Sequence, residues 1–288
     1  MNAQIRESDW LLRLLAPHVP EHPSIGVRGL TALSRLGSGL RPFRRGEDIV
    51  AQGCTHDGLS ILIEGFALRY RVLADGRRQG LDIALPGDVM GSPGCFLGVP
   101  LNTVTALTRG AVAFVASPEL ASLLTDLPQL SMALVRSATS EAARLSEHLV
   151  DVGRRSACER VAHFLLEFST RLMASGIGTA NAFALPVSQV QLADIVGLSI
   201  PHTNRVLKRL CREELLEMTG RRIQIRDRRA LAALAGFDDR YLLSVRRALK
   251  VMSVPASARE TGQPRLAASA ISRNFSGVAP RTAASVSR

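Results

Sequence analysis

The 288-residue chain predicts an α+β protein: a small glycine-punctuated β-barrel, then a long helix, then a compact helical domain closed by a β-hairpin. Three observations carry this. From Pro42 to Ser117, short apolar runs alternate with Gly46, Gly53, Gly58, Gly65, Gly76, Gly87 and Gly91, turn signals at the spacing of a barrel or sandwich. From about Pro128 to Val152, apolar positions recur every three or four residues, the period of a helix. From Ser188 to Gly236, helix-capping residues, turn glycines and two alternating runs follow at short intervals.

The expected boundaries are an N-terminal helical segment over 1–25, the barrel over 26–126, the long helix over 127–152, the helical domain over 153–238, and a helical extension with a disordered basic tail over 239–288. The length suffices for two domains with cores of their own. Ser8 is placed to cap a short amphipathic helix carrying Trp10, Leu11, Leu14 and Leu15. Glu7 and Asp9 there are foreign to a signal peptide, and no apolar run approaches the ~18 residues of a membrane span, so a cytoplasmic protein is expected. Within the barrel, Ile61–Ile63, Phe66–Val72, Leu81–Leu85 and Val112–Val115 read as strands. Along the long helix runs the row Leu127, Leu130, Leu134, Ala138, Ala142, Leu145, Leu149 and Val152. Such a row serves either as internal core or as a seam between two copies, and its length favours the seam.

The segment Ser188–Leu210 reads as two short helices around a tight turn. Ser188 and Gln191 have the spacing of a capping box. Leu192, Ala193 and Val196 share one face, and Gly197 ends the helix in a left-handed turn. Ser199 caps the second helix, with Pro201 in its first turn. Val206, Leu207 and Leu210 then point inward, leaving His202, Arg205 and Arg209 on an outer face with Asn204 and Lys208 beside them. This is the pattern of a helix-turn-helix, whose second helix lies in the DNA major groove. Alone it is also the pattern of a helical hairpin with a solvated face. Two short runs around Gly220-Arg221 follow and read as a hairpin, the wing of a winged helix, with Arg221 and Arg222 at its tip facing the phosphates. Asp227 caps a last helix, Arg228 to Ala235, ended by Gly236.

Charge supports the nucleic-acid reading. Residues 1–151 carry a net −1 and residues 152–288 a net +12, so one half is built to meet a polyanion and the other is not. The basic residues are spread over several elements, which argues against one amphipathic membrane helix. Cys54, Cys95, Cys158 and Cys211 are far apart with no C-x-x-C, so neither a zinc site nor a disulfide framework is implied. No grouping of His, Ser and acids has catalytic spacing, and an enzyme is not expected.

The order of parts resembles the Crp/Fnr family of bacterial transcription regulators, over about residues 26–240. The resemblance is carried by Arg45-Gly46-Glu47-Asp48-Ile49 with Gln52-Gly53, by Gly65, Asp75-Gly76 and Pro86-Gly87-Asp88, by Arg154–Leu166, which is closer to the Fnr side, and by Gly197-Leu198-Ser199 with Asn204-Arg205-Val206-Leu207. It implies a jelly-roll barrel of the cyclic-nucleotide-binding type, a dimerisation helix and a winged helix-turn-helix. It further implies a homodimer on palindromic double-stranded DNA, with RNA polymerase as a further partner. Arg205 matches the family's base-reading Arg. Ser188, Ser199, His202, Asn204, Lys208, Arg209, Arg221 and Arg222 complete the expected DNA-binding set; Lys208 and Arg209 are expected on phosphates, and His202 at a base edge, a phosphate or in solvent.

Three departures narrow the expectation. The family's ribose-binding Glu is here Ser92, and its cyclic-phosphate Arg falls at Leu101 or Asn102, with Arg109 expected only in the next strand. Cyclic AMP is therefore not the expected effector. No Cys precedes Cys54, so the Fnr-type iron–sulfur cluster is not expected either, and no cofactor is assigned. Pro201 occupies the place of a Glu that reads cytosine. A small-molecule effector, a redox effector acting through Cys54, Cys95 or Cys158, and effector-free binding all remain open. So does a ligand-binding or interaction module with vestigial DNA binding.

Overall fold

A computed structural model describes residues 40–126 and 128–242. The expected helix near Trp10, Leu127, and the tail beyond Leu242 lie outside these residues.

Eight strands form the barrel: β1 (Leu40–Phe43), β2 (Asp48–Val50), β3 (Gly58–Glu64), β4 (Ala67–Val72), β5 (Arg78–Ala84), β6 (Val89–Met90), β7 (Thr103–Ala106) and β8 (Gly110–Ala116). They make two antiparallel sheets, in the orders β1-β8-β3-β6 and β2-β7-β4-β5. Helix α1 (Ser92–Leu97) lies between β6 and β7. All four expected strands are present. The short β1, β2, β6 and β7 were not expected, because runs of two to four residues carry no readable alternation. Arg109 sits in the turn between β7 and β8 rather than within a strand.

Alternation along the strands gives the barrel two apolar faces. Ala67 and Ala84 face its interior with Phe43, Leu62, Met90 and Val112. Their neighbours Leu68, Ile83 and Leu85 face the other way, into a cluster with Leu165, Phe168, Leu192, Leu210 and Leu231. The helical domain thus continues its core onto the outside of the barrel instead of closing one of its own. Phe168 anchors this junction, with Phe66, Phe164 and Phe183 at ring-centroid distances of 6.5, 6.1 and 5.7 Å.

Helix α2 (Ser117–Asp126) leads to the long helix α3 (Pro128–Gly153). From Ala138 onward the expected row is exposed, to 71% at Leu149. Upstream, Val135 is exposed at 57% while Leu134 is half-buried, so the exposed row runs Val135, Ala138, Ala142, Leu145, Leu149, Val152 in alternating steps of three and four. That is the spacing of a two-helix seam. Another face of α3 meets the barrel: Arg144 donates to Asp82 of β5 at 3.1 Å, and Arg69 of β4 pairs with Glu141.

Helix α4 (Ala157–Ala174) follows, opened by a capping box of Ser156 and Glu159. Its Arg171 reaches back to the barrel, donating to Asp82, to Asp88 at 2.8 Å and to the Ile83 carbonyl at 3.0 Å. Its Arg160 donates to the carbonyls of Val152 (3.3 Å), in the last turn of α3, of Arg155 (3.2 Å), just after it, and of Val196 (2.9 Å). Helices α5 (Gln189–Val196) and α6 (Ile200–Arg212) come next, then β10 (Leu216–Thr219), β11 (Arg222–Ile225) and α7 (Arg228–Ala235). Strand β9 (Ala182–Ala184) pairs with β11 and makes the wing a three-stranded sheet, in the order β10-β11-β9.

Candidate nucleic-acid interface

The surface is assembled from α5, the turn after it, α6 and the wing. The Ser188 hydroxyl accepts from the Gln191 amide at 3.2 Å while the Gln191 side chain accepts from the Ser188 amide at 2.8 Å. That closes the first turn of α5 and leaves the Ser188 hydroxyl hydrogen free to donate outward. Gly197 holds φ 62°, a conformation glycine takes without a Cβ penalty, and the chain turns there into α6. Ser199 caps α6, its hydroxyl accepting from the His202 amide at 3.4 Å.

Thr203, Val206, Leu207 and Leu210 are the buried face of α6. Thr203 is fully buried, its hydroxyl donating to the Ser199 carbonyl at 3.1 Å. The opposite face carries exposed Arg205, Lys208 and Arg209, with half-buried His202 and Asn204 at its edge. Among the described residues, Arg205 and Lys208 have no ion-pair partner, whereas Arg209 pairs with Glu213 one turn on, at 2.7 Å. This contact holds the Arg209 guanidinium toward the C-terminal end of α6, and pushes its pKa further up. Asn204 donates to the side chain of Gln189 at 3.3 Å, fixing its amide relative to α5. Gln189 was not anticipated from sequence, because its partner lies in a different helix.

The wing places Arg221 and Arg222 at the β10–β11 turn, both exposed, with Gly220 at φ 62°. Their side chains are free for a partner because their backbones are held: the Leu185 amide donates to the Arg221 carbonyl at 2.8 Å, and Arg222 pairs with Ala184. All nine expected residues thus lie on the helix-turn-helix or its wing. Ser188 and Ser199 serve its internal geometry, and six of the others carry cationic or amide groups outward.

A second set of contacts sets the helix-turn-helix against the barrel. Arg78 pairs with Asp194 at 3.0 Å, and the Gln79 amide donates to the carbonyls of Asp194 (3.0 Å) and Ile195 (3.2 Å). Between them Gly80 lies so close to α5 that a Cβ would fall 2.6 Å from the Ile195 side chain and 2.8 Å from its Cα. This docking leaves the outer face of α6 open.

Residues 40–126 match the model described as "Cyclic nucleotide-binding domain", and residues 159–234 match that of the "Crp-like helix-turn-helix domain". The transcriptional activatory protein AadR of Rhodopseudomonas palustris is 33% identical over 220 residues, 73% of this chain and 90% of that protein. The transcriptional activator protein FnrA of Stutzerimonas stutzeri is 30% identical over 213 residues, 74% of this chain and 87% of that one. The chain is a Crp/Fnr-family transcription regulator. The solved structure of FixK2 from Bradyrhizobium japonicum shares 29% identity with this regulator and superposes with a TM-score of 0.62, covering 69% of this chain and 98% of that one.

The regulator's barrel cavity is where a cyclic nucleotide would be sought, since Ser92, Leu101 and Asn102 all line it. The family's Glu and Arg positions there hold Ser92 and Leu101 or Asn102, so the lining offers a cyclic phosphate no cation at the expected place. Arg69 also lines it, but its guanidinium is committed to Glu141 and to the Val89 carbonyl at 3.1 Å. The four cysteines are not joined in disulfides, and burial pushes the Cys211 thiol up, away from reactivity. Among the described residues, no helix is long and apolar enough to cross a membrane.

Proposed function

We propose that this regulator acts in the cytoplasm as a homodimer on a two-fold symmetric DNA site, without enzymatic activity and without a cyclic nucleotide as its signal. The observation that carries this reading is the open outer face of α6: Arg205 and Lys208 exposed and unpaired among the described residues, with Arg221 and Arg222 on the wing beside it. Arg205 reads a guanine, since a guanidinium matches O6 and N7 together. Lys208, Arg209, Arg221 and Arg222 hold phosphates, with Ser188 and Ser199 donating from the two helix starts and His202 and Asn204 at the groove edge. The exposed row from Val135 to Val152 supports the dimer, whose two α6 helices would enter successive major grooves about 34 Å apart. The functional parts are the barrel over 26–126, the dimer helix over 127–152 and the DNA-binding domain over 153–238. RNA polymerase is the further partner, because the relatives AadR and FnrA bear the names of activators.

Selection of genomic fragments by the purified full-length protein tests the reading. A palindromic consensus bound by dimers is expected. Binding without sequence preference, at any salt concentration, would leave the DNA-binding domain vestigial and refute it.

A further inference from the structure

The barrel cavity lined by Ser92, Leu101 and Asn102 is not an apolar plug. It contains an ion pair drawn from two elements. Arg69, on β4, is 5% exposed. Its guanidinium donates to the Val89 carbonyl of β6 and to the carboxylate of Glu141, which enters from α3. A buried guanidinium without an anion is costly, so some carboxylate or phosphate is required there. The chain supplies one itself. One turn further along α3, Arg144 binds Asp82 of β5, and Asp82 in turn binds Arg171 of α4. The pair in the cavity is therefore the first link of a charge chain running from the barrel interior through the seam helix to the DNA-binding domain.

We infer that Glu141 is a built-in ligand: the dimer helix itself delivers to the barrel the anion that an effector would otherwise bring, and the barrel is thereby coupled to α3 with no small molecule bound. The inference rests on the reading that a cyclic nucleotide is not the signal, and it goes further by naming what stands in the cavity instead. It also makes the site convertible. Glu141→Ala removes a fragment the size of acetate and leaves Arg69 facing the vacated space. The barrel then becomes a receptor for a small carboxylate.

Thermal unfolding and DNA affinity of the full-length protein test this, with cyclic AMP, cyclic GMP, sodium acetate and sodium chloride as probes. The wild-type melting point should not move with either cyclic nucleotide. A rise would overturn both the inference and the reading beneath it. Glu141→Ala should melt lower and bind DNA about 5- to 150-fold more weakly, the usual span of coupling between sites. Acetate should raise its melting point toward wild type, as a ligand of the folded state does, where equal chloride does not. Arg69→Leu in the same background should abolish the acetate effect. Absence of acetate rescue in Glu141→Ala, or equal rescue without Arg69, overturns the inference while leaving the cyclic-nucleotide reading intact. Should Glu141→Ala not fold, Glu141→Gln keeps the size and removes the charge. It should lower both melting point and DNA affinity, and wild-type values in it would refute a role for the anion. The melting measurements decide the matter even if no DNA site is found.

Discussion

Arg205 and Arg221 both present exposed guanidiniums, and what separates them is the backbone beneath. Arg205 stands mid-helix on the outer face of α6, and Arg221 stands at the β10–β11 turn; in the proposed complex the first would enter the groove and the second would meet its rim. Arg205→Ala should cost about 1–3 kcal/mol on the preferred site and relax preference at one position per half-site. Arg221→Ala should weaken all sequences alike and reduce the salt slope by about one. Binding titrations against single-base variants of the site, at several salt concentrations, distinguish the two; uniform loss for both would show that Arg205 is not a reader. Their exposed placement was legible because the face on which a helix or turn side chain stands is set by local pattern: cap, period and turn lie within a few positions of it. Arg69 and Glu141 were not legible, being 72 positions apart and joined only by the packing of α3 on the barrel. Gln79 and Gly80 escaped for the same reason, since their partners Asp194 and Ile195 lie beyond the whole length of α3.

At the level of elements, the helix-turn-helix, the wing hairpin and the last helix had sharp signals, and the capping residues Ser188, Ser199 and Asp227 occupy the N-caps read from sequence. The weak readings were elements stabilised by neighbours rather than by their own residues. Strand β9 has three residues and exists because β11 offers it an edge. The row on α3 was legible in period but one residue out at its upstream end, because Leu134 and Val135 differ in burial rather than in hydrophobicity. Leu145→Asp with Leu149→Asp should yield monomers that have lost specific binding, as light scattering and titration would register. A dimer that survives both changes would place the seam elsewhere. Gly80→Ala should push α5 off β5, since the new methyl meets the backbone of Ile195 as well as its side chain. We expect a loss of about 1–3 kcal/mol in denaturant unfolding, as for other overpacked contacts, together with weaker DNA binding. Unchanged stability would mean that the contact relaxes freely.

For the molecule as a whole, the shared apolar cluster and the charges around Asp82 tie barrel, α3 and α4 into one body. Burial alone would raise the Asp82 carboxyl; the guanidiniums of Arg171, Arg144 and Arg69 outweigh it and hold it well below the usual carboxylate range. A carboxyl depressed on folding contributes stability that is present above its unfolded value, about 3.9, and is lost as the pH falls from there through the folded value. Asp82→Asn should therefore cost about 3–5 kcal/mol at neutral pH, the usual effect of breaking a buried pair. The gap to wild type should narrow as the pH falls below about 4. Thermal melts of both proteins across that range test it, and a gap independent of pH would remove the charge from the explanation. The division into a neutral and a basic half was legible; the continuity of the core was not, because alternation along β4 and β5 does not say what covers the outward face. Arg160 carries that continuity on to the helix-turn-helix. One guanidinium holds carbonyls at the end of α3 and at the end of α5, so the directions of these two helices are fixed relative to each other through a single planar group. In the proposed dimer each reading head stands about 17 Å from the dyad, half the separation of successive grooves. In that dimer Arg160 would be the gauge block of the assembly: lying between the end of α3 and the end of α5, it would hold the spacing of the two reading heads without itself reading a base.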